Sequence, residues 1–291
     1  MRRNKATGIV AVYADLTRYK LSLAVTFSSV TGYFIFHNKI EITLLCLICG
    51  VFFLASGSAV MNQVTEVRYD SVMGRTMQRP LPQEKISRGK AMLLSAALFC
   101  TGIFLLSLTG FIPSLLGIFN IILYNFIYTK LKRVTPLAVI PGVLVGAIPP
   151  LIGFEAAGGG VPGNGIMVFS AFMFLWQLPH FWLILLKYHK EYETAGFVTI
   201  SHLMNERQIR VLIFLWGLFS TIFLLSFSVV GILFSRYISL VLIPLNIIFI
   251  LAFYYLLFRK SEKNEFHGAF ILINSFSLLI MILFIINSLH F

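Results

Sequence analysis

The chain has 291 residues, of which 58% are hydrophobic and 12% charged, with a mean hydropathy of +0.88 and a formal net charge of +12. Soluble domains carry roughly 25% charged residues, so a soluble globular enzyme, a disordered protein and a coiled coil are excluded together. A transmembrane helix takes about 20 mainly apolar residues, so a chain of this length holds about nine or ten at most. The apolar runs are continuous and do not alternate with period two, which argues against a β-barrel.

Residues 1–20 have no apolar stretch of signal-peptide type and include Asp15, so no cleaved targeting segment is expected. The apolar runs predict nine spans, at about 21–37, 41–61, 91–108, 111–128, 137–154, 165–186, 209–230, 237–257 and 267–288. No soluble domain fits between them. The expectation is an all-α, polytopic membrane protein with one intramembrane domain over 1–291, residues 1–20 forming a cytoplasmic N-terminal segment. The second span carries Cys46-x-x-Cys49. No second pair completes a zinc site, so inert packing in a lipid-embedded helix is the simpler reading.

Charge sorts by side. All Lys and Arg except Lys39 and Arg236 fall in the N-terminal segment or in the loops after spans two, four, six and eight. The positive-inside rule then puts the N-terminus in the cytoplasm and the C-terminus outside. This asymmetry accounts for the basic excess, and no nucleic-acid partner is needed. All acids except Glu41 and Glu155 also lie on the cytoplasmic side. Topology has no use for acids, so these mixed clusters need another explanation.

The first cluster follows the second span. Asn62, Glu66 and Asp70 are spaced by four and form one oxygen-rich stripe on a helix. Adjacent carboxylates repel unless a cation lies between them, and Mg²⁺ takes such oxygens and completes its shell with substrate phosphates. Arg75 and Arg79 follow at the same spacing, with guanidinium forks suited to phosphate. Pro80 and Pro82 then end the helix. The competing reading is a solvated loop helix with weak surface pairs. Against it stands the position at the membrane boundary, where ionisable groups are costly and usually functional.

The second cluster, after span four, places Lys130, Lys132 and Arg133 behind Tyr128, and three cations so close together are also explained by topology alone. Span five contains Pro149 and Pro150, which are tolerated where the freed carbonyls line a cavity. Span six ends in Trp176, Gln177, Pro179, His180, Phe181 and Trp182, followed by Lys187, Tyr188, Glu191 and Tyr192. A membrane-embedded His180 points to a site, although a bond to a carbonyl freed by Pro179 explains it equally. Glu191 either pairs with Lys187 on the helix or faces the first cluster. Together the three clusters describe a central cavity open to the cytoplasm. It has carboxylates for a divalent metal, cations for an anion, and apolar walls suited to an amphiphilic substrate.

These residues resemble the UbiA superfamily of intramembrane prenyltransferases, and within it the protoheme-farnesylating branch. The superfamily signature NxxxDxxxD is similar to Asn62, Glu66 and Asp70. The branch pattern MxRTxxRPLP is met by Met73, Arg75, Thr76, Arg79, Pro80, Leu81 and Pro82. GAxPPxxG is met by Gly146, Ala147, Pro149, Pro150 and Gly153, and WxxPHFW by Trp176, Pro179, His180, Phe181 and Trp182. An acid-Tyr-x-x-Ala-Gly stretch is met by Glu191, Tyr192, Ala195 and Gly196. Glu66 and Glu191 stand where the family has Asp, which keeps the charge and adds a methylene. Ala138 and Val139 stand where many members carry Asn.

The resemblance implies a Mg²⁺-dependent enzyme of the bacterial inner membrane. It would transfer farnesyl from farnesyl diphosphate to a vinyl group of heme B, with water addition, giving heme O and diphosphate. It implies metal ligation by Asn62, Glu66, Asp70 and Glu191, and diphosphate binding by Arg75, Arg79, Lys130, Arg133 and Lys187. It further implies catalytic roles for Tyr128 and His180, and heme contacts from His180, Trp176, Tyr188 and Tyr192. A heme-A-forming enzyme or a terminal oxidase would receive the product. Two rival readings share some features: a quinone-type aromatic prenyltransferase shares the metal site, and a membrane transporter shares the proline-broken spans.

Overall fold

The computed structural model describes residues 8–229, 235–259 and 266–290. Residues 1–7 of the expected N-terminal segment, the end of the seventh expected span and most of the basic loop after the eighth lie outside the described residues. The helices are α1 (Ile9–Thr17), α2 (Tyr19–Phe36), α3 (Ile42–Asp70), α4 (Arg88–Ser107), α5 (Phe111–Ile122), α6 (Thr129–Leu131), α7 (Val139–Ala156), α8 (Asn164–Thr194), α9 (Glu206–Val229), α10 (Arg236–Phe258) and α11 (His267–His290). A π-helical segment, Leu123–Tyr128, fuses α5 to α6. Among the described residues there is no strand.

Among the described residues, eight helical stretches are long and apolar enough to cross a membrane. They match the expected spans from the second onward. The first expected span is α2, whose length is 18 residues but whose apolar character is diluted. Ser22, Thr26, Ser28, Ser29 and Thr31 are buried on it, so nine spans is an approximate count. These hydroxyls do not go unsatisfied: Thr26 donates to Ser22 O at 2.8 Å, Ser29 to Thr26 O at 2.7 Å and Thr31 to Phe27 O at 3.0 Å. Such a face packs against protein, not lipid.

Close backbone approach explains why α2 can sit there. A Cβ on Gly153 of α7 would meet the Ser29 carbonyl, and one on Gly32 would meet the carbonyl of Pro150. The two helices therefore touch backbone to backbone. Pro149 and Pro150 also leave the carbonyls of Val145 and Gly146 without their helical donors, and these residues face the cavity. The C-terminal half is built differently. A large aromatic core, including Phe169, Phe172, Phe249, Phe253, Phe276 and Phe284, joins α8 to α11. It packs α8 against its neighbours. Near the C-terminal end of α8, Tyr188 leaves helical geometry (φ −122°, ψ 20°), and this kink redirects the final turns that carry Glu191 and Tyr192.

Candidate active site

α2, α3, α5, α7, α8, α11 and the π-helical segment enclose one cavity of about 560 Å³, within the roughly 300–1,000 Å³ of small-molecule sites. One end is charged, with Arg18, Lys20, Glu66, Asp70, Arg75, Arg79 and Lys132 on its lining. The remainder is mainly apolar. Val51, Leu54 and Ile121 lie on the α3–α5 side, and Phe181, Ile184, Leu185 and Phe270 on the α8–α11 side.

The four-residue spacing on α3 delivers Asn62, Glu66 and Asp70 to the same wall, each only 4% exposed. Each then meets a specific partner. Arg79 Nη1 donates to Asp70 Oδ2 at 2.7 Å. Lys132 Nζ lies 2.5 Å from Glu66 Oε1 and 2.7 Å from Oε2, with its hydrogen bond directed to Oε2. Asn62 Nδ2 donates to Thr129 Oγ1 at 3.4 Å. Thr76 Oγ1 donates to the Asp70 carbonyl at 3.0 Å, which folds the segment after α3 back over the cavity mouth. Pairs this deeply buried are strongly interdependent, because removing one partner strands the other charge at a cost of about 3–5 kcal/mol.

Glu191 acts at a different point from the α3 acids. Its Oε2 accepts from the Arg75 backbone N–H at 2.9 Å. Arg75 Nη2 in turn donates to Tyr192 Oη at 2.9 Å, and its guanidinium lies 4.8 Å from the Tyr188 ring and 5.4 Å from the Tyr192 ring. Glu191 is thus tied to Arg75, in the segment that follows α3.

The π-helical segment sets the third side. It stacks Tyr124 on Tyr128 with ring centroids 5.7 Å apart, and both line the cavity. Thr129 Oγ1 donates to the Tyr124 carbonyl at 2.9 Å, closing the widened turn. Such π-segments occur often at functional sites. Deeper in, Gln177 and His180 of α8 line the cavity, and Gln177 Oε1 and His180 Nδ1 are buried without a hydrogen-bond partner.

Several expected site residues lie away from the cavity lining. Lys130 is exposed. Arg133 donates to the Thr65 carbonyl at 3.3 Å and packs 4.7 Å from the Tyr69 ring. Lys187 approaches His267 Nδ1 at 3.5 Å. Trp176 is in the aromatic core, its indole N–H donating to Ile273 O at 2.9 Å. Tyr188 reaches the site only through Arg75. Lys132, Arg18, Tyr124, Gln177 and Asn274 line the cavity and had been given no role at the site. Lys132 stands one turn beyond Tyr128, but across a π-helical segment that shifts the helical phase. Nothing in the sequence marked the others.

The donor set bears on the expected metal. Among the described residues no three His, Cys, Asp or Glu side chains converge as a ready-made cage. The α3 stripe instead offers one amide and two carboxylates on a single wall, and Glu66 Oε1 accepts no well-directed hydrogen bond. An incomplete oxygen set of this kind fits Mg²⁺, which takes one or two carboxylates and leaves positions for phosphate oxygens.

The model of the UbiA prenyltransferase family matches residues 23–276. The protoheme IX farnesyltransferase of Geobacter sulfurreducens is 39% identical over 62% of this chain and 67% of its own length. That of Flavobacterium psychrophilum is 30% identical over 87% and 86%. Among solved structures, a digeranylgeranylglyceryl phosphate synthase superposes with a TM-score of 0.77 at 18% identity, covering 97% of this chain and 99% of that one. A UbiA homolog from Archaeoglobus fulgidus bound to GPP and Mg²⁺ gives 0.75 at 16% identity, covering 95% and 98%. Fold and sequence thus agree: this multi-pass membrane protein belongs to the UbiA prenyltransferase family.

Proposed function

We propose that the protein transfers the farnesyl group of farnesyl diphosphate to a vinyl group of heme B, adds water, and releases heme O and diphosphate. The observation that carries the reading is one cavity that joins a carboxylate–cation rim to an apolar interior walled by His180 and Phe181 of the WxxPHFW segment. The protoheme IX farnesyltransferases among the relatives support it.

In this reading Asn62, Glu66 and Asp70 hold Mg²⁺, and Glu191 fixes Arg75 at the same rim. The ion, when bound, supplies positive charge to the diphosphate oxygens. Arg75, Arg79 and Lys132 bind those oxygens and stabilise the charge that grows as the C1–O bond breaks and its electron pair leaves on the diphosphate. The stacked rings of Tyr124 and Tyr128 present a π face to the allylic cation, and the apolar walls exclude water from it. The vinyl π electrons form the new C–C bond and leave a cation on the carbon next to the macrocycle. Water adds there and gives up a proton. Gln177 and His180, with unpartnered polar atoms in an otherwise apolar region, hold that water, and the His180 imidazole accepts its proton.

The remaining assignments follow from the same reading. The whole chain acts as one intramembrane domain, with the N-terminus cytoplasmic and the C-terminus outside a bacterial inner membrane. A heme-A-forming enzyme or a terminal oxidase consumes the product. The test is turnover by purified protein in lipid nanodiscs with farnesyl diphosphate, heme B and Mg²⁺. A heme product more apolar than heme B, formed one for one with diphosphate, is expected. Transfer to an aromatic quinone precursor in place of heme would instead establish the quinone-type activity.

A further inference from the structure

Arg18 joins α1 to α2 with φ 47° and ψ 48°, in the left-handed region. A side chain with a Cβ is disfavoured there, and glycine takes this conformation freely. Such backbone persists only where its surroundings over-determine it, and three contacts do so. Leu16 is fully buried against Val60, Leu81 and Ala91. The Gln63 amide of α3 donates to the carbonyls of Asp15 and Leu16, at 3.3 Å and 2.7 Å. Ser22 Oγ donates to the Thr17 carbonyl at 3.1 Å. The chain is pinned on both sides of residue 18, yet the residue there is not the one that would relax the turn.

The side chain does not extend into solvent. It lines the cavity, and its electrostatic neighbours are Tyr124, Arg79, Arg75 and Tyr192. Burial first, and then the like charges of Arg79 and Arg75, hold the Arg18 guanidinium below its usual range. Asp70 is committed to Arg79 and Glu66 to Lys132, and among the described residues no carboxylate forms an ion pair with Arg18. Three guanidinium groups therefore border one cavity mouth, and among the described residues only that of Arg79 is ion-paired with a carboxylate, Asp70. Crowded like charges of this kind are relieved by a multiply charged anion, and planar guanidinium forks match phosphate oxygens.

We propose that Arg18 is the third arm of a guanidinium clamp, with Arg75 and Arg79, that binds the diphosphate group and is held in place by the strained α1–α2 turn. The proposal rests on the prenyl-diphosphate reading given above. The strain makes it separable from folding, because glycine removes the clamp arm and the strain together. The experiment uses the full chain in nanodiscs and titrates inorganic diphosphate with Mg²⁺ against wild type, Arg18→Gly and Arg18→Lys. Heme B is titrated separately, and Tm is recorded for each variant. Arg18→Gly is expected to keep or raise Tm while weakening diphosphate binding about tenfold, the loss of one charge-assisted hydrogen bond or more. Arg18→Lys is expected to recover part of that affinity, with heme B binding unchanged in both. Wild-type diphosphate affinity in Arg18→Gly overturns the clamp. So does a loss confined to heme B, which would assign Arg18 to a carboxylate ligand, or a loss that only tracks a fallen Tm. A wild-type protein that binds no diphosphate overturns the prenyl-diphosphate reading itself.

Discussion

The C-terminal end of α3 and the WxxPHFW stretch of α8 carry the two strongest motifs, and the structure treats them differently. On α3 the spacing of four delivers Asn62, Glu66 and Asp70 to one cavity wall. On α8 the motif divides between cavity and core, although Trp176 and His180, four residues apart, pack with ring centroids 5.2 Å apart. His180 and Phe181 line the cavity, whereas Trp176 and Trp182 are buried in the aromatic core. The α3 stripe is polar among apolar neighbours, so its only low-energy direction is toward the cavity and its cations. The α8 motif is mostly aromatic and satisfied by either a core or a ligand, so the packing of α11 decides. The rim is therefore a region of specified charge, and the α8 wall a region of specified shape.

Substitutions at the rim should have the largest effects. Asp70→Asn removes the charge that pairs with Arg79 and should lower turnover at least about 100-fold, the scale of a lost electrostatic stabiliser, in protein that still inserts and folds. Chelation of divalent metal should give a comparable loss, reversed by added Mg²⁺ and measured as product formation. The two lysines beyond Tyr128 sharpen the comparison. Lys132→Met strands Glu66 and should lower both activity and thermal stability, the latter by about 3–5 kcal/mol. Lys130→Met, at an exposed position, should leave both nearly unchanged, within about 0.5 kcal/mol in stability. Equal losses in the two variants would mean that the Glu66 pair does not organise the rim.

The α8 wall should respond in a different quantity. Trp176→Ala empties a packed position and loses the bond to Ile273 O. It should cost about 3–5 kcal/mol of stability, read as a fall in Tm, while the surviving folded protein keeps its affinity for farnesyl diphosphate. The smallest effect is expected from Lys187→Gln. That residue borders His267 and not the cavity, so kcat/KM should stay within about twofold, as for a surface change of less than 0.5 kcal/mol.

The legible part of the molecule follows the same division. Eight of the spans, the acid stripe, Arg75, Arg79 and the cavity prolines could be read from hydropathy, spacing and helix-breaking chemistry. Which of three neighbouring cations enters the site could not, because Lys130, Lys132 and Arg133 differ only in helical phase across a π-segment that no residue pattern announces. The position of Glu191 depended on the kink at Tyr188. Arg18 depended on a left-handed backbone that the sequence, lacking a glycine there, gave reason to discount. Trp176 followed tertiary packing against α11, which lies about 100 residues away in the chain.

The most direct measurement is a pair of titrations, farnesyl diphosphate with Mg²⁺ and heme B, on Asp70→Asn and His180→Ala side by side with wild type. If the rim binds the donor head and the α8 wall the acceptor, Asp70→Asn loses farnesyl diphosphate affinity and keeps heme B affinity. His180→Ala does the reverse. Loss of both ligands together in either well-folded variant, or undiminished farnesyl diphosphate binding by Asp70→Asn, would contradict the account.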